Sequence, residues 1–152
     1  MNPYTATPGS AWQLFIGEPF NNTIAVINLV VSGTAPNQVF GLSSVSRISS
    51  HLLKLPVDLA PVKRDVDSVS WASNTTLDEG SDFYVANRGN NTIVRMGQDG
   101  SVVAVRRVTA GHSPLDNASL NGITTSTDGG TIYVTFTGPS PGHGGVLALP
   151  AF

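Results

Sequence analysis

A chain of 152 residues, 40% of them hydrophobic, has enough apolar material for one domain with a packed core. Only 12% of residues are charged and the formal net charge is −2, so there is no basic footprint for nucleic acid or an anionic membrane. With no cysteine, disulfides, thiolate nucleophiles, zinc–cysteine sites and c-type haem attachment are excluded.

The abundance of Ser, Thr, Asn, Gly and Pro suits many short strands joined by tight turns, and such a composition is common among exported proteins. The longest apolar stretch, residues 24–31, is interrupted by Asn28 and is too short to span a bilayer as a helix. The N-terminus lacks a basic stretch followed by an apolar one, so any export signal has been removed or was never there. An extracellular or periplasmic location is the expectation.

In chain order, three units are predicted: residues 11–55, 66–109 and 118–150. In the first, the Pro/Gly-containing start at 2–10 is a poor strand, 12–16 and 23–31 read as strands, and 38–48 reads as an irregular outer strand. Val45, Ile48, Leu52 and Leu55 recur at helical spacing, so a short helix within 43–55 is the alternative. Residues 56–64 read as a proline-containing connector. The second unit takes four strands in meander order, 66–71, 83–86, 92–96 and 101–108, here labelled A to D. The third takes A at 122–126, a hairpin turn at Asp128-Gly129-Gly130, B at 131–136, a Gly/Pro turn at 138–145 and C at 146–149, with no strand D after it.

The units repeat at residue level. Leu14-Phe15-Ile16-Gly17-Glu18-Pro19-Phe20-Asn21-Asn22-Thr23-Ile24 aligns without a gap with Phe83-Tyr84-Val85-Ala86-Asn87-Arg88-Gly89-Asn90-Asn91-Thr92-Ile93, and Ile132-Tyr133-Val134-Thr135-Phe136 begins a third copy. The fold class expected is all-β: about three four-stranded antiparallel blades of a β-propeller, incomplete at both ends, in a single domain or propeller fragment. Three blades are too few for a ring, so a longer chain, a second copy or a protein partner is expected to complete it.

The second unit's Phe83-Tyr84-Val85-Ala86-Asn87-Arg88-Gly89-Asn90-Asn91-Thr92-Ile93 followed by Asp99-Gly100 resembles the YVTN/NHL type of propeller repeat, in which a strand ending in Val-Ala-Asn or Val-Ala-Asp precedes a turn and a second strand. Leu120-Asn121-Gly122-Ile123 followed by Ser126-Thr127-Asp128-Gly129-Gly130-Thr131-Ile132-Tyr133-Val134-Thr135 is similar to a pattern shared with the gluconolactonase/SMP-30 group, with Leu120 where that pattern has proline. The latter resemblance implies that Asn121 is a ligand of a catalytic divalent metal. Glu18 follows a B-type strand rather than opening an A strand, so the group's N-terminal glutamate role is not carried to it.

In a four-stranded meander the D–A and B–C connections share one rim. Glu18, Asn87, Arg88 and His143 lie in or beside B–C connections, and His112, Asp116 and Asn121 lie in the second D–A connection. This rim is the candidate partner-binding surface. Asn121 and Asp67 read either as oxygen ligands of Ca²⁺ or another divalent cation, or as Asx residues that shape strand starts. His112 and His143 read either as metal ligands or a general base, or as solvated loop residues. Asn21, Asn74, Asn90 and Asn117 each open an Asn-x-Ser/Thr sequon, which a composition this rich in those residues also produces by chance. Trp12 and Trp71 read as core residues between blades.

The leading functional expectation is a non-enzymatic binding or assembly module of an exported protein. The alternative is a metal-dependent lactonase-like hydrolase in which Asn121 and Asp67 hold the cation that polarises a lactone carbonyl. A structural appendage of a larger redox protein, its cofactor carried by other chains, is a third.

Overall fold

The computed structural model describes residues 11–34, 37–62, 82–110, 113–114, 118–140 and 142–152. They form an all-β structure of three antiparallel sheets. The first holds β1 (Ala11–Glu18), β2 (Thr23–Ser32) and β3 (Val39–Ser49), and the second holds β4 (Pro56–Pro61), β5 (Phe83–Asn87), β6 (Thr92–Met96) and β7 (Val102–Arg107). After a two-residue pairing of β8 (Thr109–Ala110) with β9 (Ser113–Pro114), the third sheet holds β10 (Ser119–Thr125), β11 (Thr131–Thr137) and β12 (Gly145–Pro150). Each large sheet is a meander, and none closes on itself. Among the described residues no helix is long and apolar enough to cross a membrane.

The helix considered within 43–55 does not form. β3 runs to Ser49 and pairs with β2 along its length, a bulge between Asn28 and Leu29 shifting the register by one residue. The strand nearest β5 on its first side is also not the expected 66–71, which lies outside the described residues together with Asp67 and Trp71. Residues 56–61, expected as a connector, fill that place as β4, pairing Leu59 with Val85 and Pro61 with Phe83. β4 stands at a sheet edge, where a proline's missing N–H leaves no ladder bond unmade, so its two terminal prolines are tolerated.

The sheets stack face to face, and the period of two along β5 decides how. All five β5 residues are buried. Phe83 and Val85 turn one way, into a cluster with Phe15, Ile24, Val26 and Ile48 of the first sheet. Tyr84 and Ala86 turn the other way, into a cluster with Leu120, Ile123, Ile132 and Val134 of the third. The middle sheet is therefore apolar on both faces, with a core on each side. Full burial of each such side chain contributes about 1.5–3 kcal/mol relative to exposure. The Phe15 and Phe83 rings meet at 5.2 Å between centroids, tilted by 44°.

Past the end of β12, the Phe152 main-chain oxygen accepts a hydrogen bond from the Tyr84 hydroxyl at 3.1 Å. Arg95 donates to the same oxygen at 2.9 Å and pairs with Asp82 at 2.7 Å, while the Arg106 guanidinium lies over the Phe152 ring. These contacts tie residues 150–152 back onto the middle sheet.

Candidate functional site

The first two sheets turn from their B-type to their C-type strand on the same rim, and the two turns are built alike. Asn22 and Asn91 both sit in the left-handed region, at φ 54° and 53°, which asparagine tolerates better than most residues. Each side chain then holds the chain entering the next sheet. Asn22 Oδ1 accepts the Leu55 N–H at 2.7 Å; Asn91 Oδ1 accepts the Leu120 N–H at 3.3 Å and its Nδ2 donates to the Ala118 carbonyl at 2.7 Å. A second matched pair lies just before: Thr23 Oγ1 donates to Glu18 at 2.6 Å, as Asn87 Nδ2 donates to Thr92 Oγ1 at 3.1 Å.

Asn87 is fully buried and its amide is used up structurally. It accepts the Lys54 N–H and donates to the Leu52 carbonyl, pinning the link between first and second sheets. Glu18 forms a two-point pair with Arg47, 2.8 Å from Nε and 3.1 Å from Nη2. The hydrogen bond from Arg47, followed by that from Thr23, holds its carboxyl below the usual glutamate value.

Arg88 and Asn121 are brought together. The exposed Arg88 side chain reaches across to the third sheet, where Nε donates to the Leu120 carbonyl at 3.1 Å and Nη2 to Asn121 Oδ1 at 2.5 Å. Asn121 in turn donates to Thr137 Oγ1. β10 begins three residues earlier than the expected strand A, so Asn121 lies within it, at the bulge between Leu120 and Gly122. The bulge takes Asn121 out of the paired ladder. Glu18 lies on the first turn, apart from this pair. His143 is exposed in the turn between β11 and β12. His112, Asp116 and Asp67 lie outside the described residues, as do the sequon asparagines Asn74 and Asn117.

Sequence reasoning missed Asp58. Its carboxylate accepts the Ile123 N–H and the Leu59 N–H, each at 2.9 Å, from a half-buried place between β4 and β10. Burial raises its pKa, against the lowering effect of those two bonds. The available signal was its alternation with Val57 and Leu59, which the flanking prolines masked. Segment 120–123 is thus held from one side by the Arg88 cation and from the other by the Asp58 carboxylate.

Near the first turn, Asn21, Asn22, Thr23, Ser49, Ser50, His51 and Gly100 line an open polar hollow of about 540 Å³. Phe20, next to it in the turn, is 96% exposed. Among the described residues no three His, Cys, Asp or Glu side chains gather as a metal-binding group. The rim presents the hydrogen-bonded Arg88–Asn121 guanidinium–amide pair and the exposed Phe20 ring. No family model, no curated protein and no solved structure matches the chain.

Proposed function

We propose that the chain is a non-enzymatic binding and assembly module of an exported protein, built from three propeller-type blades, whose D–A/B–C rim contacts a protein partner. The observation that carries this reading is the repeated stitching of Asn22 to Leu55 and of Asn91 to Leu120. Each turn is made to capture the backbone entering the next sheet, which is how a stack of repeated units extends. Arg88 and Phe20 on the same rim belong to residue types that dominate protein-binding surfaces, where exposed aromatic and guanidinium groups give large contact area and several donors. The low share of charged residues supports export.

The hydrolase alternative requires Asn121 to ligate a cation through its amide oxygen. That oxygen accepts a hydrogen bond from Arg88, whose positive charge opposes a divalent ion at the same place. Assay of simple γ- and δ-lactones with Ca²⁺, with Zn²⁺ and with chelator tests the choice. The binding reading expects no turnover under any condition. Metal-dependent turnover that disappears in Asn121→Ala would overturn it.

A further inference from the structure

The two sheet–sheet contacts inside the chain use equivalent residues of the repeat. Facing forward, Phe15, Gly17 and Ile24 of the first sheet meet the second, and their counterparts 69 residues on, Tyr84, Ala86 and Ile93, meet the third. Facing backward, Phe83, Val85, Val94 and Met96 receive the first sheet, and in the third sheet Ile132 and Val134 stand where Phe83 and Val85 do and receive the second.

Both outer faces of the stack keep the same construction. On the first sheet, Leu14, Ile16, Ala25 and Ile27 occupy the receiving positions of Phe83, Val85, Val94 and Met96, and alternation turns them away from the second sheet; Ala25 is 6% exposed and the other three are half-buried, while Val45, paired with Ile27 on the same face, is 49% exposed. On the third, Tyr133 and Thr135 occupy the forward positions of Tyr84 and Ala86. Tyr133 is 39% exposed, and Val146, opposite Thr135, is 63% exposed. Among the described residues no further sheet stacks on either face.

We infer that the occupant of both faces is a second copy of this chain, joined head to tail, with two copies closing one ring of six sheets. This rests on the blade reading above and names the partner of its faces. The forward face of one copy and the receiving face of the other are the two halves of a contact the chain already makes twice within itself, so Tyr133 meets Leu14 as Phe15 meets Phe83. A head-to-tail contact of this kind is heterologous and is satisfied only by closure. Six blades fall within the range of about four to eight in which such rings close.

Sedimentation velocity of the full chain, of Tyr133→Arg, of Ile27→Arg and of an equimolar mixture of the two variants tests this. The wild type is expected at twice the 15.8 kDa chain mass. Each variant alone is expected at the single-chain mass. The mixture is expected to recover a two-chain species, because the intact forward face of one variant meets the intact receiving face of the other. Val45→Arg, at a residue 49% exposed and paired with Ile27 on the same face, replaces Ile27→Arg if far-UV circular dichroism shows that variant unfolded. Three results would overturn the inference: a wild type that stays at single-chain mass at every concentration, a two-chain species indifferent to both variants, or open-ended growth beyond two chains. None of these bears on lactone turnover, which tests the binding reading separately.

Discussion

Asn22 accepts the Leu55 N–H at 2.7 Å while its own backbone sits at φ 54°, so one residue both makes the turn and anchors the next strand. Asn22→Ala and Asn91→Ala lose the anchor and place a Cβ without Asx stabilisation in the left-handed region. Each is expected to destabilise by about 1–3 kcal/mol. Asn22→Gly and Asn91→Gly relieve the backbone strain alone and should fall between wild type and alanine in urea denaturation. Equal loss for Gly and Ala would assign the whole effect to the side-chain bond.

Gly17 stands where the second sheet has Ala86, but a Cβ on it would come to 2.6 Å from the Pro56 carbonyl oxygen. That neighbour is backbone and cannot swing aside. Gly17→Ala is therefore expected to destabilise by about 1–3 kcal/mol through overpacking. Thermal unfolding of this variant beside Ala86→Gly checks it, and a Gly17→Ala protein as stable as wild type would contradict the close approach of β1 to β4.

Tyr84→Phe keeps the ring in its core and removes the hydroxyl's two bonds to Phe152, the one donated to its main-chain oxygen, which Arg95 continues to hold, and the longer one accepted from its N–H at 3.4 Å. The expected loss is about 1 kcal/mol. Tyr84→Ala also opens a cavity and is expected to lose about 3–5 kcal/mol. Urea midpoints of the two variants separate the hydroxyl from the ring.

Four carboxylates give opposed pH responses. Glu18 is held below its usual value by Arg47 and then Thr23, Asp99 by Ser101 and Asp128 by Ser126. Their stabilisation is present above the unfolded values, near pH 4, and is lost as pH falls through the lower folded values. Asp58, raised by burial, acts oppositely: its protonated form favours the fold, and that contribution is lost as pH rises through its raised value. The melting temperature of the wild type should fall on acidification below about pH 4. The fall should be shallower in Glu18→Gln and steeper in Asp58→Asn.

The strand pairs that open the first sheet and centre the second were legible in the sequence because both need alternating apolar residues and a polar turn that permits positive φ. Leu14–Ile24 and Phe83–Ile93 share both. β4 was not legible, since Pro56 and Pro61 carry a connector signature and only the edge position of the strand makes them acceptable. Rim parity picked out Arg88 and Asn121, but their mutual bond spans 33 residues and arises from the bulge in β10, which no local pattern encodes. The same holds for Asp58 and Ile123, 65 residues apart. Asn87, a rim candidate by sequence, is a buried fastener because its neighbours at 52–54 fold over it.

The middle sheet is clamped between two others by the alternating apolar residues of its two faces, and native-state hydrogen exchange tests this arrangement most directly. The amides of Phe83–Asn87, buried on both faces, are expected to be the most protected in the chain and to exchange only through global unfolding. The exposed outer strand Val102–Arg107 is expected to exchange sooner, through local opening. Protection of Phe83–Asn87 no greater than that of Val102–Arg107 would contradict the stacked arrangement.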